Sequence, residues 1–152
     1  MTVRIRAAAA NDAAALARIA REAYAPYLER IGRPPAPMLD DYAAVVGRGG
    51  TWVAEDADGV CGFAVLDLAG RDAVLENVAV ADRARGRGVG RVLIGHAEQV
   101  ARDGGFDRIT LYTNEAMSEN RRLYPRLGYR ETHRATEHGL RRVYFGKALR
   151  RE

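Results

Sequence analysis

The stretch RARGRGVGRVL, residues 83–93, alternates arginine with glycine between the apolar run LENVAV and a segment of helical spacing. Each glycine held in a fixed backbone gives up conformational entropy on folding. Gly86, Gly88 and Gly90 at one strand-to-helix junction therefore point to a backbone that something must approach closely. A helix N-terminus leaves several N–H groups without partners and carries partial positive charge. With no Cβ in front of it, such an end takes an anion directly. Arg85, Arg87 and Arg91 add charge-assisted donors, which suit phosphate oxygens. The run from Gly86 through Val89 to Gly90 thus reads as a cradle for a diphosphate. Two nucleotide motifs fit poorly. A P-loop needs a lysine after its last glycine, and the one lysine here is Lys147. A dinucleotide fold needs G-x-G-x-x-G early in a βαβ unit, whereas this chain has G-x-G-x-G past its midpoint, behind a hairpin.

Arg85-x-x-Gly88-x-Gly90 after VAV instead resembles the coenzyme A loop of the GNAT superfamily of N-acetyltransferases. LYTNEAMSENRRLYPRLGY, residues 111–129, resembles that superfamily's second signature, a strand followed by a helix carrying Leu-Tyr before a Gly-aromatic pair. The order of elements is compatible from Val3 to Leu149. The resemblance implies an α/β fold in one domain over residues 1–152, a mixed and mostly antiparallel central sheet of about seven strands flanked by about four helices. It implies acetyl-CoA as co-substrate, no metal, and transfer of an acetyl group to an amine. Carried onto this chain, the main chain of Val78, Ala79 and Val80 lies along the pantetheine arm, with the Val78 amide donating to the thioester oxygen. The amides of Gly86 to Gly90 hold the diphosphate beside Arg85, Arg87 and Arg91. Asn114 and Asn120 are candidate cofactor contacts. Many relatives have an asparagine seven residues before the tyrosine, where this chain has Met117, so that role is divided between the two, and a turn role for Asn114 stays open.

An amine attacks a thioester only when neutral, yet a free alkylammonium has a pKa of roughly 10, and the departing thiolate leaves better with a proton. The reaction wants a base on one side of the carbonyl and an acid on the other. Tyr124 stands at the superfamily's Leu-Tyr position and is the candidate acid; it also suits a core aromatic near Leu123, Leu127 and Tyr129. Pro125 directly after it removes a helical hydrogen bond and is expected to kink the axis, aiming the hydroxyl. Glu76 is the candidate base, direct or through water. Strict alternation puts Glu76, Val78 and Val80 on one strand face, where burial would raise the carboxyl pKa; a rim glutamate paired with an arginine is the other reading. Resemblance assigns the acceptor side to the first two helices and the last hairpin. There Tyr24, Tyr27, Met38 and Tyr42 form a possible apolar wall, with Glu29, Asp40 or Asp41 to attract an ammonium group. A small amine, an amino acid, an antibiotic and a protein amino group all remain open as acceptors. The alternative function is a non-catalytic acyl-CoA-binding module of the same fold.

The elements that must position these residues follow from periodicity. TVRIR, TWVAE, CGFAVLDLA, AVLENVAV, RITLYT, YRETHRATE and LRRVYFGKAL read as strands, with DADG and HG as hairpin turns. Asn11 or Asp12 caps a helix on which Leu16, Ile19, Ala23, Tyr27 and Ile31 recur, and GRPPAPM breaks it. LDDYAAVV, GRVLIGHAEQVARD and MSENRRLYPRL are further helices. The 152 residues, 47% hydrophobic and 29% charged, suit one globular domain. Net charge is +4, but arginines and acids are interspersed outside residues 83–91, so local anion capture is expected and no nucleic-acid partner. Cys61 is the only cysteine, which excludes an internal disulfide. His96, His133 and His138 show no metal-ligand spacing. Neither a secretory leader nor a membrane-length apolar stretch is seen, so a cytoplasmic setting without membrane contact is expected. A homodimer is possible, as in many relatives.

Overall fold

Alternating apolar residues put seven strands into one sheet, described over residues 2–149 in a computed structural model. The strands are β1 (Arg4–Ala7), β2 (Thr51–Asp56), β3 (Gly59–Asp67), β4 (Ala73–Val80), β5 (Arg108–Asn114), β6 (Arg130–Glu137) and β7 (Leu140–Ala148). Their spatial order is β1-β2-β3-β4-β5-β7-β6, antiparallel throughout except between β4 and β5. That parallel step requires a crossover. It is supplied by α5 (Val89–Asp103), which leaves the glycine loop. The remaining helices are α1 (Ala13–Tyr24), the single-turn α2 (Leu28–Ile31) and α3 (Ala36–Leu39), α4 (Tyr42–Gly47) and α6 (Ser118–Arg126).

The first helix is shorter than its apolar spacing predicts. Pro26 has no N–H to offer the carbonyl of Glu22. The chain tightens into a 3-10 turn at Ala25–Tyr27, and α2 ends one turn later at Gly32, φ 85°. Nor does Asp12 cap α1 through its side chain. Its buried carboxylate instead takes two bonds from Arg6 (2.9 and 3.1 Å) and one from the Ala9 amide (2.7 Å), while Arg6 also reaches Glu55 at 3.2 Å. A guanidinium offers a two-pronged partner that outcompetes a helix amide.

Two apolar cores lie on opposite sheet faces. Leu16, Ile19, Tyr42, Phe63 and Ala79 pack under α1 and α4; Leu75, Leu93, Ile109, Tyr124 and Phe145 pack under α5 and α6, with Cys61 as a small buried strand residue. The second core encloses one charged group. Glu98 of α5 accepts from the Tyr129 hydroxyl (2.8 Å) and from Lys147 Nζ (3.0 Å), and Lys147 also bonds the Leu127 carbonyl at 2.8 Å. This ties the turn after α6 to α5 and β7. Among the described residues, no helix is long and apolar enough to cross a membrane.

Candidate active site

β4 and β5 pair only where they begin, Ala73 with Ile109 and Val74 with Thr110. The cause lies on the other edge of β4. Val65 faces Asn77 and the next residue, Leu66, faces Leu75, so Glu76 is an extra residue with no partner on β3. Such a bulge bends its strand and adds twist. It also overturns the expected alternation. Leu75, Val78 and Val80 pack toward α5, whereas Asn77 and Ala79 turn toward α1, so Glu76 does not share a face with Val78 and Val80. Glu76 instead stands at the rim, 35% exposed, with Oε2 3.7 Å from Arg48 Nη2. Partial burial pushes its carboxyl above the ordinary range, and Arg48 opposes this.

Beyond the bulge one edge of β4 is open. The Ala81 amide donates to the Cys61 carbonyl at 2.8 Å. Antiparallel alternation then directs Ala79 and Asn77 to β3, and leaves the N–H and C=O groups of Val78 and Val80 aimed at the gap before β5. Two hollows open to solvent occupy that gap. The loop-side hollow runs past Val80, Ala79 and Ile94 to Arg85 and Gly90. The hairpin-side hollow runs past Glu76 and Asn77 to Asn114 and Arg142. Tyr24, Val78, Met117, Asn120 and Tyr124 border both and mark the junction.

At the outer end, Gly86 and Gly88 hold φ of 77° and 80°, and a Cβ on either would meet no protein atom within 4 Å. Left-handed backbone at these two positions favours glycine, and the space beside them is open. The first turn of α5 presents the amides of Val89, Gly90 and Arg91, which have no i−4 carbonyl. The side chain of Val89 is core, and those of Arg87 and Arg91 are exposed. Arg85 pairs with Asp82 at 3.4 Å on the rim of the loop-side hollow. Arg83 points elsewhere, bonding Asp56 at 2.8 and 3.1 Å. Part of the loop's positive charge is therefore spent on the β2–β3 turn.

Tyr124 projects from α6 into the junction. Its ring rests on Tyr129 (centroids 5.6 Å apart) and Phe145 (5.8 Å), and its hydroxyl has no hydrogen-bond partner among the described residues. Burial pushes its pKa up to about 12, so the proton stays on at neutral pH. Pro125 falls in the last turn of α6. It ends the helix rather than kinking its middle, and the Tyr124 carbonyl instead accepts from Leu127 and Tyr129, both at 3.0 Å.

The other expected residues separate. Asn120 faces both hollows, with Nδ2 3.4 Å from Thr113 Oγ1. Asn114 makes a turn, its Oδ1 accepting the Ala116 amide at 2.9 Å, and borders only the hairpin-side hollow. Tyr24 is at the junction. Tyr27 belongs to the loop side, where its hydroxyl donates to Glu119 (2.6 Å), a carboxylate also held by Arg30 at 2.9 Å. Met38 borders neither hollow; it packs against the α1-side core because α3 presents it inward. Asp41 caps α4 through the Ala43 and Ala44 amides. Asn77 was missed. Its Oδ1 accepts from the Tyr24 hydroxyl (2.6 Å) and its Nδ2 donates to Tyr42 Oη (3.0 Å), which in turn bonds the Pro37 carbonyl. A polar residue inside LENVAV was the available signal. Tyr112 and Arg142, on the floor of the hairpin-side hollow, carried none. No cluster of three or more His, Cys, Asp or Glu is arranged for a metal among the described residues.

A model of the Acetyltransferase (GNAT) family matches residues 14–129. This chain belongs to that family. Among solved structures, the PaiA N-acetyltransferase from Thermoplasma acidophilum, in complex with coenzyme A, superposes with a TM-score of 0.81 at 18% identity, covering 97% of this chain and 99% of that one. A nourseothricin acetyltransferase gives 0.61 at 29% identity over 66% of this GNAT chain and 65% of its own. Streptothricin acetyltransferase of Streptomyces lavendulae is 34% identical over 82 residues, 52% of this chain and 43% of that protein. The match thus spans less than half the length of that curated relative.

Proposed function

We propose that this GNAT chain transfers an acetyl group from acetyl-CoA to the amine of a small molecule or to a protein amino group. The observation that carries this is the continuity of the open β4 edge with the glycine cradle, joined at Tyr124. The donor set fits the co-substrate. Open space beside Gly86 and Gly88, with the first-turn amides of α5, suits a diphosphate. Main-chain groups of Val78 and Val80 aimed at the gap beyond the last β4–β5 pair suit the amides of a pantetheine arm, and the arginines at 85, 87 and 91 supply charge at the rim. Asn120 adds an amide at the junction.

Acetyl-CoA supplies an activated acyl group: the amine nitrogen bonds to its carbonyl carbon, the C–S bond breaks, and one amine proton is lost as the sulfur gains one. In our reading Tyr124 Oη holds the proton destined for the sulfur, and the Val78 N–H stabilises negative charge on the carbonyl oxygen. Glu76, at the rim of the hairpin-side hollow, receives the amine proton directly or through water; its raised carboxyl pKa makes it a better base than an ordinary glutamate. We place the reaction in the cytoplasm. The decisive measurement is thermal unfolding with acetyl-CoA, longer acyl-CoAs and NAD, followed by thiol release with a panel of amines. Ligand at a hundred times its Kd adds about 2.7 kcal/mol. No complex at millimolar acetyl-CoA defeats the reading. Binding without thiol release on any amine supports a non-catalytic acyl-CoA module instead.

A further inference from the structure

The hairpin-side hollow has a charged floor that transfer itself does not require. Asn114 of β5 and Arg142 of β7 are directly paired in register, so their side chains stand on one face. Both border the hollow. The Arg142 guanidinium lies 4.3 Å over the Tyr112 ring, and its side chain is 12% exposed. Its ion pair with Glu137 is loose, at 3.7 Å, and Glu137 also accepts the Tyr144 hydroxyl. At Asn114 the turn bond to Ala116 commits Oδ1, which leaves the Nδ2 donors for the hollow. The floor therefore offers a planar cation and an amide NH2 side by side, a set that matches a carboxylate. It repels a second ammonium group. Glu76 stands across β5 on β4, and Pro35 and Leu140 give the walls an apolar character.

Resting on the transferase reading, we infer that the acceptor is a free amino acid with an apolar side chain. Its carboxylate is held by Arg142 and Asn114 Nδ2, and its amine is turned toward Tyr124 and Glu76.

The test is thiol release from acetyl-CoA with phenylalanine, leucine and methionine, their carboxamides, and spermidine. Each amino acid is expected to exceed its carboxamide in kcat/KM by at least about 10-fold, the effect of one charge-assisted bond. Asn114→Asp keeps the turn acceptor and replaces the NH2 donor by a negative oxygen; Arg142→Met removes the cation. Either is expected to raise KM for phenylalanine by about 10- to 100-fold and to bring the acid-to-carboxamide ratio toward one. Calorimetry of phenylalanine and its carboxamide against the CoA-saturated protein gives the same ranking without turnover. Should Arg142→Met fail to fold, Asn114→Asp and the wild-type ranking still decide. Equal or better use of carboxamides or spermidine, or a preference that survives both substitutions, overturns the inference. Absence of any acetyl-CoA complex instead defeats the transferase reading on which it rests.

Discussion

Replacing Tyr124 with phenylalanine separates stability from chemistry at one atom. The hydroxyl is bonded to nothing among the described residues, and the ring contacts with Tyr129 and Phe145 need only carbon. The residue is 7% exposed, but its hydroxyl is not among the buried atoms left without a partner and opens on the hollows, so deleting it breaks no bond to the described residues. Stability at pH 7 is expected to change by less than about 0.5 kcal/mol, or to rise. The alkaline range adds a signature. The folded pKa, about 12, lies above an unfolded value of roughly 10, so wild-type stability from this group is full below pH 10. It is lost as pH climbs from 10 through 12, by up to about 2.7 kcal/mol at 1.36 kcal/mol per unit. Tyr124→Phe is expected to lack that portion of the loss. Catalysis moves the other way: loss of a general acid lowers kcat by about 100-fold or more with little change in acetyl-CoA affinity. Thermal unfolding at pH 7 and pH 11, calorimetry with acetyl-CoA and thiol release read these quantities separately. Normal kcat with retained acetyl-CoA binding would refute the assignment. A large loss of stability at pH 7 would show that the hydroxyl is a structural bond after all.

Gly88→Ala is expected to cost roughly 1–2 kcal/mol for a side chain in left-handed backbone and to weaken acetyl-CoA binding by about 10-fold or more, since one well-placed bond to an anion is worth that much. Gly105, φ 84°, also has nothing within 4 Å but lies at the far end of α5, so Gly105→Ala should match the stability loss and spare the affinity; equal affinities in the two variants would remove the cradle. For Asp12, the Arg6 bonds hold the folded carboxyl below its ordinary range, so its stabilisation is present above about pH 4 and fades as pH falls through the folded value. Denaturant titrations of Asp12→Asn should show a deficit of about 2 kcal/mol at pH 7 that shrinks below pH 4, and a deficit independent of pH would contradict this account.

The parts of the site made of local signals were legible in the amino-acid order. Glycines at 86, 88 and 90 announce a helix start with an open face, and the hairpin turns and strands emerge from alternation alone. The parts that depend on pairing were not. Whether Glu76 shares a face with Val78 depends on how β4 registers with β3, and one unmatched residue there inverts every neighbour beyond it. Arg142 reads, beside Arg141, as one more solvated arginine until its pairing with Asn114 brings it over Tyr112. Met38 and Tyr27 have equal apolar credentials in the sequence and both pack against the α1-side core, yet only Tyr27, on the 3-10 turn that Pro26 imposes, also borders the loop-side hollow.

The bulge at Glu76 links these observations. Without the extra residue Asn77 would point toward α5, away from Tyr24 and Tyr42, and a buried amide with no partner costs about 1–3 kcal/mol. With it, Asn77 reaches both tyrosines, and the same half-turn keeps Val78 and Val80 with their polar main-chain groups toward β5. Pairing with β5 would satisfy those groups, yet the added twist carries β4 away after two residue pairs. A buried side-chain network thus holds open a row of backbone donors and acceptors that a regular strand would have closed.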